Sequence, residues 1–258
     1  MPASIGVQIT CFTHQGRVRD GNEDCIGVGD WVCNMPMSSP RQWRGGIESP
    51  LMCVVADGMG GHAAGEIASQ YAVNRMKEES LRIRNAGQLA GVLKSIDIEM
   101  HDLMMLDRSR VGMGTTIVGL LLLHERLIWF NVGDSRLYRH GGGSLKQISV
   151  DDVPDLKRRS HLITQSLGGT AAIQPLSPHT GEDDLPIPSR WLLCSDGLTD
   201  MAATDAMEKC MAASDLEATS KLFELAMRAG GHDNISIIVA SIVPAGALAS
   251  AWEQGATA

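Results

Sequence analysis

The chain opens on a strict alternation, with Ile5, Val7, Ile9 and Cys11 on one side and small or polar residues between them. That period of two predicts a strand with one face in a core. Residues 25–28 and the compact apolar run 51–56 predict two more strands. The stretch 31–50 between them reads as a loop, broken by Pro36, Pro40, Gly45, Gly46 and Pro50. From His62 the period becomes helical. Ala64, Ile67, Ala68, Tyr71, Ala72 and Met76 fall on one face, and Leu89, Val92, Leu93, Ile96, Met100, Leu103 and Met104 form the stripe of a second helix. Strand patterns return at 115–123, 127–132, 136–139, 145–148 and 191–194. Ser214 and Glu217 form a capping box ahead of the stripe Ala218, Leu222, Leu225, Ala226 and Ala229, and Gly230-Gly231 stops that helix. A last apolar strand is expected at 235–243.

Strands cluster before and after paired helices, and that order predicts an α+β layering and not alternating βαβ units. No repeat or long linker divides the chain. Residues 1–243 are therefore expected to form one domain, followed by an Ala/Gly-rich tail at 244–258 that should fray.

Composition narrows the function. The 258 residues are 44% hydrophobic and 20% charged, the balance of a folded chain, with a net charge of −8. That acidity, with ten aromatic residues, argues against a nucleic-acid partner. The longest apolar run, 117–123, is far short of the ~20 residues that span a bilayer. No signal-peptide pattern opens the chain, so the expectation is a cytoplasmic protein with no membrane partner. Six cysteines never form C-x-x-C and are read as reduced, mostly core thiols.

Acids recur where predicted strands end. Asp57-Gly58 follows 53–56, Gly133-Asp134 follows 130–132, Asp196-Gly197 follows 192–195, and Asp200 comes four residues later. Asp233-Asn234 and Asn22-Glu23-Asp24 each precede a strand. One Asp-Gly pair marks only a turn. Seven acids at strand ends (Glu23, Asp24, Asp57, Asp134, Asp196, Asp200, Asp233) are a different matter, because gathered carboxylates need a cation. Hard oxygen donors without a Cys or His cluster suit Mg²⁺ or Mn²⁺. The segment 58–63 formally fits a dinucleotide fingerprint, but Asp57 would sit beside the pyrophosphate and a helix follows where a second strand is required.

Six segments occur in order: Arg19-Asp20-Gly21-Asn22-Glu23-Asp24, Val55-Ala56-Asp57-Gly58-Met59-Gly60-Gly61-His62, Gly114-Thr115-Thr116, Val132-Gly133-Asp134-Ser135-Arg136, Ser195-Asp196-Gly197-Leu198-Thr199-Asp200 and Asp233-Asn234. Together they resemble the motif series of the PP2C-type metal-dependent Ser/Thr protein phosphatases in their bacterial form, over residues 12–240. The resemblance implies a β-sandwich of two antiparallel sheets flanked by helix pairs, in α-β-β-α layers. It implies hydrolysis of phosphoserine and phosphothreonine by a metal-activated hydroxide, opposing a bacterial Ser/Thr kinase. Two Mn²⁺ or Mg²⁺ ions are implied, with a third possible. Glu23, Asp57, the Gly58 carbonyl, Asp196 and Asp233 would hold the two, while Asp134 and Asp200 join Asp196 at the third. Asp24 and Asn234 would support these ligands from behind, Arg19 would take the phosphate, and His62 would be the general acid. Expected partners are phosphorylated Ser/Thr proteins, including a cognate kinase and its substrates, met by a monomer. The alternatives are a non-catalytic phosphoprotein-binding module and a small-phosphoester hydrolase of the same fold. Two departures from the family stand out: a short flap at 149–162, lacking the family's histidine, and the insertion at 31–50, which could border the cleft.

Overall fold

The computed structural model describes residues 5–47, 50–60, 63–154, 162–170 and 172–245. The chain begins with β1 (Ile5–His14), β2 (Asp24–Val28), β3 (Trp31–Cys33), β4 (Arg41–Gly46) and β5 (Leu51–Met59). Two long helices follow, α1 (Ala63–Ser80) and α2 (Ala86–Leu106). Then come β6 (Gly114–Thr115), β7 (Ile117–Leu122), β8 (Arg126–Val132), β9 (Arg136–Gly141) and β10 (Ser144–Gln147). The last part holds β11 (Leu167–Gly168), β12 (His179–Asp184) and β13 (Ser189–Cys194), then α3 (Asp196–Thr199), α4 (Thr204–Met211), α5 (Asp215–Arg228) and β14 (Ile235–Pro244).

The strands form two antiparallel sheets. One runs β10-β9-β13-β14-β1-β4; the other runs β11-β6-β5-β7-β8-β12, with β2 beside β5 and β3 beside β2. The predicted face of β1 (Val7, Ile9, Cys11) meets Val118, Leu120, Leu122, Trp191 and Leu193 in the core between the sheets. Outside it, α1 and α2 cover the second sheet through Ala68, Ala72, Met76, Leu89 and Leu93. On the opposite side, Met207, Met211 and Leu222 of α4 and α5 cover Leu192, Ile237 and Val239. The layering is α-β-β-α, as expected. Strand β7 reads as an unbroken apolar run, and β14 as one interrupted only by Ser236 and Ser241, because both feed two cores. Val118 and Leu120 face between the sheets while Ile117 and Leu121 face the helices.

The loop expected at 31–50 is corrected: it contains β3 and β4. β4, Arg-Gln-Trp-Arg-Gly-Gly, is an almost fully exposed edge strand, so burial imposes no alternation on it. β12, His-Thr-Gly-Glu-Asp-Asp, was also invisible to periodicity, since its hydrogen-bonded register with β8 alone makes it a strand. The expected flap lies partly in 155–161, and the tail from 246 onward, outside the described residues. Among the described residues, no helix is long and apolar enough to cross a membrane.

Candidate metal centre

The sheet register lines up the acidic strand ends. Asp24 lies opposite Asp57, Gly58 opposite Thr115, His14 opposite Ile235, and Cys194 opposite Ile237. Asp57, Asp196 and Asp233 are thereby delivered to one end of the sandwich, where β5 ends, α3 begins and β14 starts.

The glycines after the acids are required by close approach, not by a turn. A Cβ on Gly58 would sit 2.2 Å from the Gly65 carbonyl oxygen and 2.6 Å from that of Glu23. A Cβ on Gly197 would meet the Asn234 carbonyl oxygen at 1.9 Å. Neither glycine has a positive φ. Each Asp-Gly pair therefore marks a place where a second backbone segment crosses the strand end.

Hydrogen bonds hold the crossing segments. Asn234, buried, accepts from the Glu23 N–H at 2.7 Å and donates to the carbonyls of Gln15 (3.0 Å) and Gly21 (2.8 Å). One side chain thus staples the loop carrying Arg19 and Glu23 to the start of β14. The Glu23 carbonyl accepts from Gly58 N–H at 3.2 Å and Ser69 Oγ at 2.6 Å. Ser195 Oγ donates to Asp24 Oδ2 at 2.8 Å and accepts from the Ser236 N–H at 3.0 Å. The Asp57 backbone is held by Thr115 and Thr116, and Thr116 Oγ1 contacts Ser135 Oγ at 2.7 Å. Arg19 Nη2 donates to Asp233 Oδ2 at 2.6 Å, with its guanidinium about half exposed.

Crowding and burial shift these acids upward. Asp24 is pushed up to about 7, first by burial and further by Asp233, against donors at Ser236 and Ser195. Asp196 reaches about 8 through burial and the charges of Asp134 and Asp233. Asp57 is held well above the ordinary carboxylate range by burial and by Asp24, Asp196 and Asp233. Asp134 is also raised, by burial and by Asp151 and Asp200. Asp200 is exposed, its N–H bonded to the Asp196 carbonyl at 2.8 Å. His62 lies outside the described residues.

The donor set suits a hard cation. Every side-chain donor is a carboxylate, the charges repel, and Asp24 Oδ1 is buried without a hydrogen-bond partner. The acids couple without closing into a cage: among the described residues, no three His, Cys, Asp or Glu side chains form a ready-made group around one ion. Sequence reasoning missed Ser195, Ser69 and Gly65 as supports. Ser195 was legible from its place beside Asp196, whereas Ser69 and Gly65 carry no signal until α1 docks.

It also missed a network beside Asp134. The buried Asp152 accepts from Gly133 N–H (2.9 Å) and Gln165 Nε2 (2.7 Å) and meets His179 Nε2 at 2.9 Å. Next to it, Arg136 forks onto Asp151 at 2.7–3.1 Å.

Residues 42–221 match the model of the family described as protein phosphatase 2C. The chain is similar to serine/threonine protein phosphatase PstP of Mycobacterium tuberculosis, 31% identical over 256 residues that cover 89% of this chain and 44% of that protein. It thus spans less than half the length of that relative. Serine/threonine phosphatase stp of Listeria monocytogenes is 29% identical, covering 88% of this chain and 92% of its own length. Protein phosphatase PhpP of Streptococcus pneumoniae is 30% identical, with 92% and 98% covered. Among solved structures, the PstP catalytic domain in complex with two manganese ions superposes with a TM-score of 0.75 at 28% identity, covering 93% of this chain and 100% of that one. Stp1 of Staphylococcus aureus superposes at 0.73 and 25% identity, with 90% and 94% covered. With the family model spanning most of its length and its motifs gathered at one end of the sandwich, the chain belongs to the protein phosphatase 2C family.

Proposed function

We propose that the chain is a metal-dependent protein Ser/Thr phosphatase. The observation that carries the reading is the convergence of Asp24, Asp196 and Asp233 around the buried Asp57 at one end of the sandwich, with Arg19 paired to Asp233 at the rim. Glu23, Asp57, the Gly58 carbonyl, Asp196 and Asp233 would hold two Mn²⁺ or Mg²⁺ ions, and Asp134, Asp196 and Asp200 a third. Bound there, divalent ions neutralise charge and lower the pKa of coordinated water.

The chain's own residues do the rest. Arg19 stays charged at any working pH, and its fork can bind two phosphoryl oxygens. Asn234 and the Gly58–Glu23 contact fix the loop from which Arg19 and Glu23 project. Asp24, held by Ser195 through one oxygen, keeps its other oxygen buried and without a hydrogen-bond partner. His62 is proposed to protonate the leaving Ser or Thr oxygen, a role that suits an imidazole. Burial pushes the thiols of Cys11, Cys25 and Cys194 up to about 12, so none is a poised nucleophile. The substrates proposed are phosphorylated proteins, among them a cognate kinase and its targets, met by a monomer. The six free cysteines support a cytoplasmic setting.

The test is hydrolysis of a phosphothreonine peptide with Mn²⁺. Turnover is expected, chelation abolishes it, and Asp196→Asn lowers it beyond the roughly 100-fold typical of changes behind a metal's ligands. Binding without turnover would favour a phosphoprotein-binding module. Cleavage confined to small phosphoesters would favour the other rival.

A further inference from the structure

Strand β4 ends the first sheet on the side of β1, and no described strand covers its outer edge. Five of its six residues are exposed, so it offers a row of unpaired backbone donors and acceptors roughly 20 Å long. Its charge runs against that of the molecule. Between Asn34 and Ile47 there are two arginines and no acid, in a chain of net charge −8. The register places the arginines on opposite faces. Arg41 pairs with Cys11, on the inter-sheet face, and its guanidinium lies 4.7 Å above the Trp31 ring. Arg44 pairs with Gln8, on the α5 face, and forms no ion pair among the described residues. Trp43, 39% exposed, lies over Gly45 between them. The strand starts at the catalytic end. Met37 N–H donates to the Thr13 carbonyl at 2.9 Å, and Asn34 takes a hydrogen bond from Asn22, next to Glu23.

We propose that β4 is a docking edge on which an acidic, extended segment of the phosphoprotein substrate adds as a further antiparallel or parallel strand, its carboxylates meeting Arg41 on one face and Arg44 on the other. This rests on the phosphatase reading above. Backbone pairing supplies the affinity of such additions, and alternate side chains supply the selectivity. A second copy of the chain fits poorly, because pairing β4 with β4 brings arginines against arginines.

The experiment compares a short phosphothreonine peptide with the same peptide carrying an extension of about eight Val and Glu residues, with Glu at positions three apart so that a carboxylate falls on each face of the added strand, placed before or after the phosphosite. A Val/Lys extension is the control. The acidic extension is expected to lower KM roughly fivefold, with kcat unchanged. Arg44→Glu should remove that gain and leave the short peptide untouched; Arg41→Glu/Arg44→Glu should reverse it. Fluorescence anisotropy of the labelled peptides reads the same preference without turnover, so loss of the docking edge and loss of the phosphatase reading are distinguishable. Equal KM and equal affinity for acidic and basic extensions overturn the proposal. So does a concentration-dependent dimer that Arg44→Glu abolishes, which would assign the edge to a second copy.

Discussion

Gly65 sits in the first turns of α1, where alanine would ordinarily be the better helix former by about 1 kcal/mol. Here a Cβ would lie 2.3 Å from Glu23 Oε2 and 2.9 Å from the Gly58 carbonyl carbon. Gly65→Ala is therefore expected to displace Glu23 and raise the Mn²⁺ dissociation constant at least about tenfold by calorimetry. An unchanged constant would remove Gly65 from the site. The carboxylates carry a pH dependence whose sign follows from their direction. Asp24 and Asp196 bind protons more tightly folded than unfolded, with values near 7 and 8 against 3.8. The stability they confer is fully present below about 3.8 and is lost as pH rises through 7 to 8. In chelator, the melting temperature should fall between pH 4 and pH 9, and Mn²⁺ should restore more of it at the alkaline end. A flat chelated profile would contradict the shifts.

At the scale of elements, α5 shows how a polar anchor seats a helix on a sheet. Ser214 Oγ accepts from the Glu217 N–H at 3.4 Å, as the capping box predicted. The next residue, Asp215, is buried and accepts from Gln8 and Ser241 while pairing with Arg190 at 2.8 Å. It joins α5 to β1, β13 and β14, which the sequence does not disclose because the partners lie far apart in the chain. Asp215→Ala would leave the mostly buried Arg190 without its carboxylate, and is expected to cost about 3 kcal/mol in denaturant unfolding. Ser214→Ala, which removes only a cap, should cost about 1 kcal/mol. Equal costs would show that Asp215 acts only as a helix-start residue. The edge elements β4 and β12 teach the converse lesson. With one neighbour and little burial, their sequences are free of the alternation that made β1 legible.

For the whole molecule, the −8 balance is concentrated where the sheets end, so a cation is expected to bind the folded chain far better than the unfolded one. Mn²⁺ at about 100 times its dissociation constant should stabilise the fold by about 2.7 kcal/mol, a rise of several degrees in melting temperature that chelation reverses. No shift with Mn²⁺ would argue against a metal site at this end of the sandwich. The amino-acid sequence by itself determined the layers, because strands buried on both faces leave near-continuous apolar runs and helices buried on one face leave an apolar stripe, as β7, β14, α1 and α2 do. It also determined the acids and their order. Their meeting was decided only by the tertiary structure. Antiparallel register sets Asp24 against Asp57, and the backbone crossings at Gly58 and Gly197 bring in Glu23 and Asn234. Those contacts join residues up to about two hundred positions apart, and no local pattern encodes a distance that only folding closes.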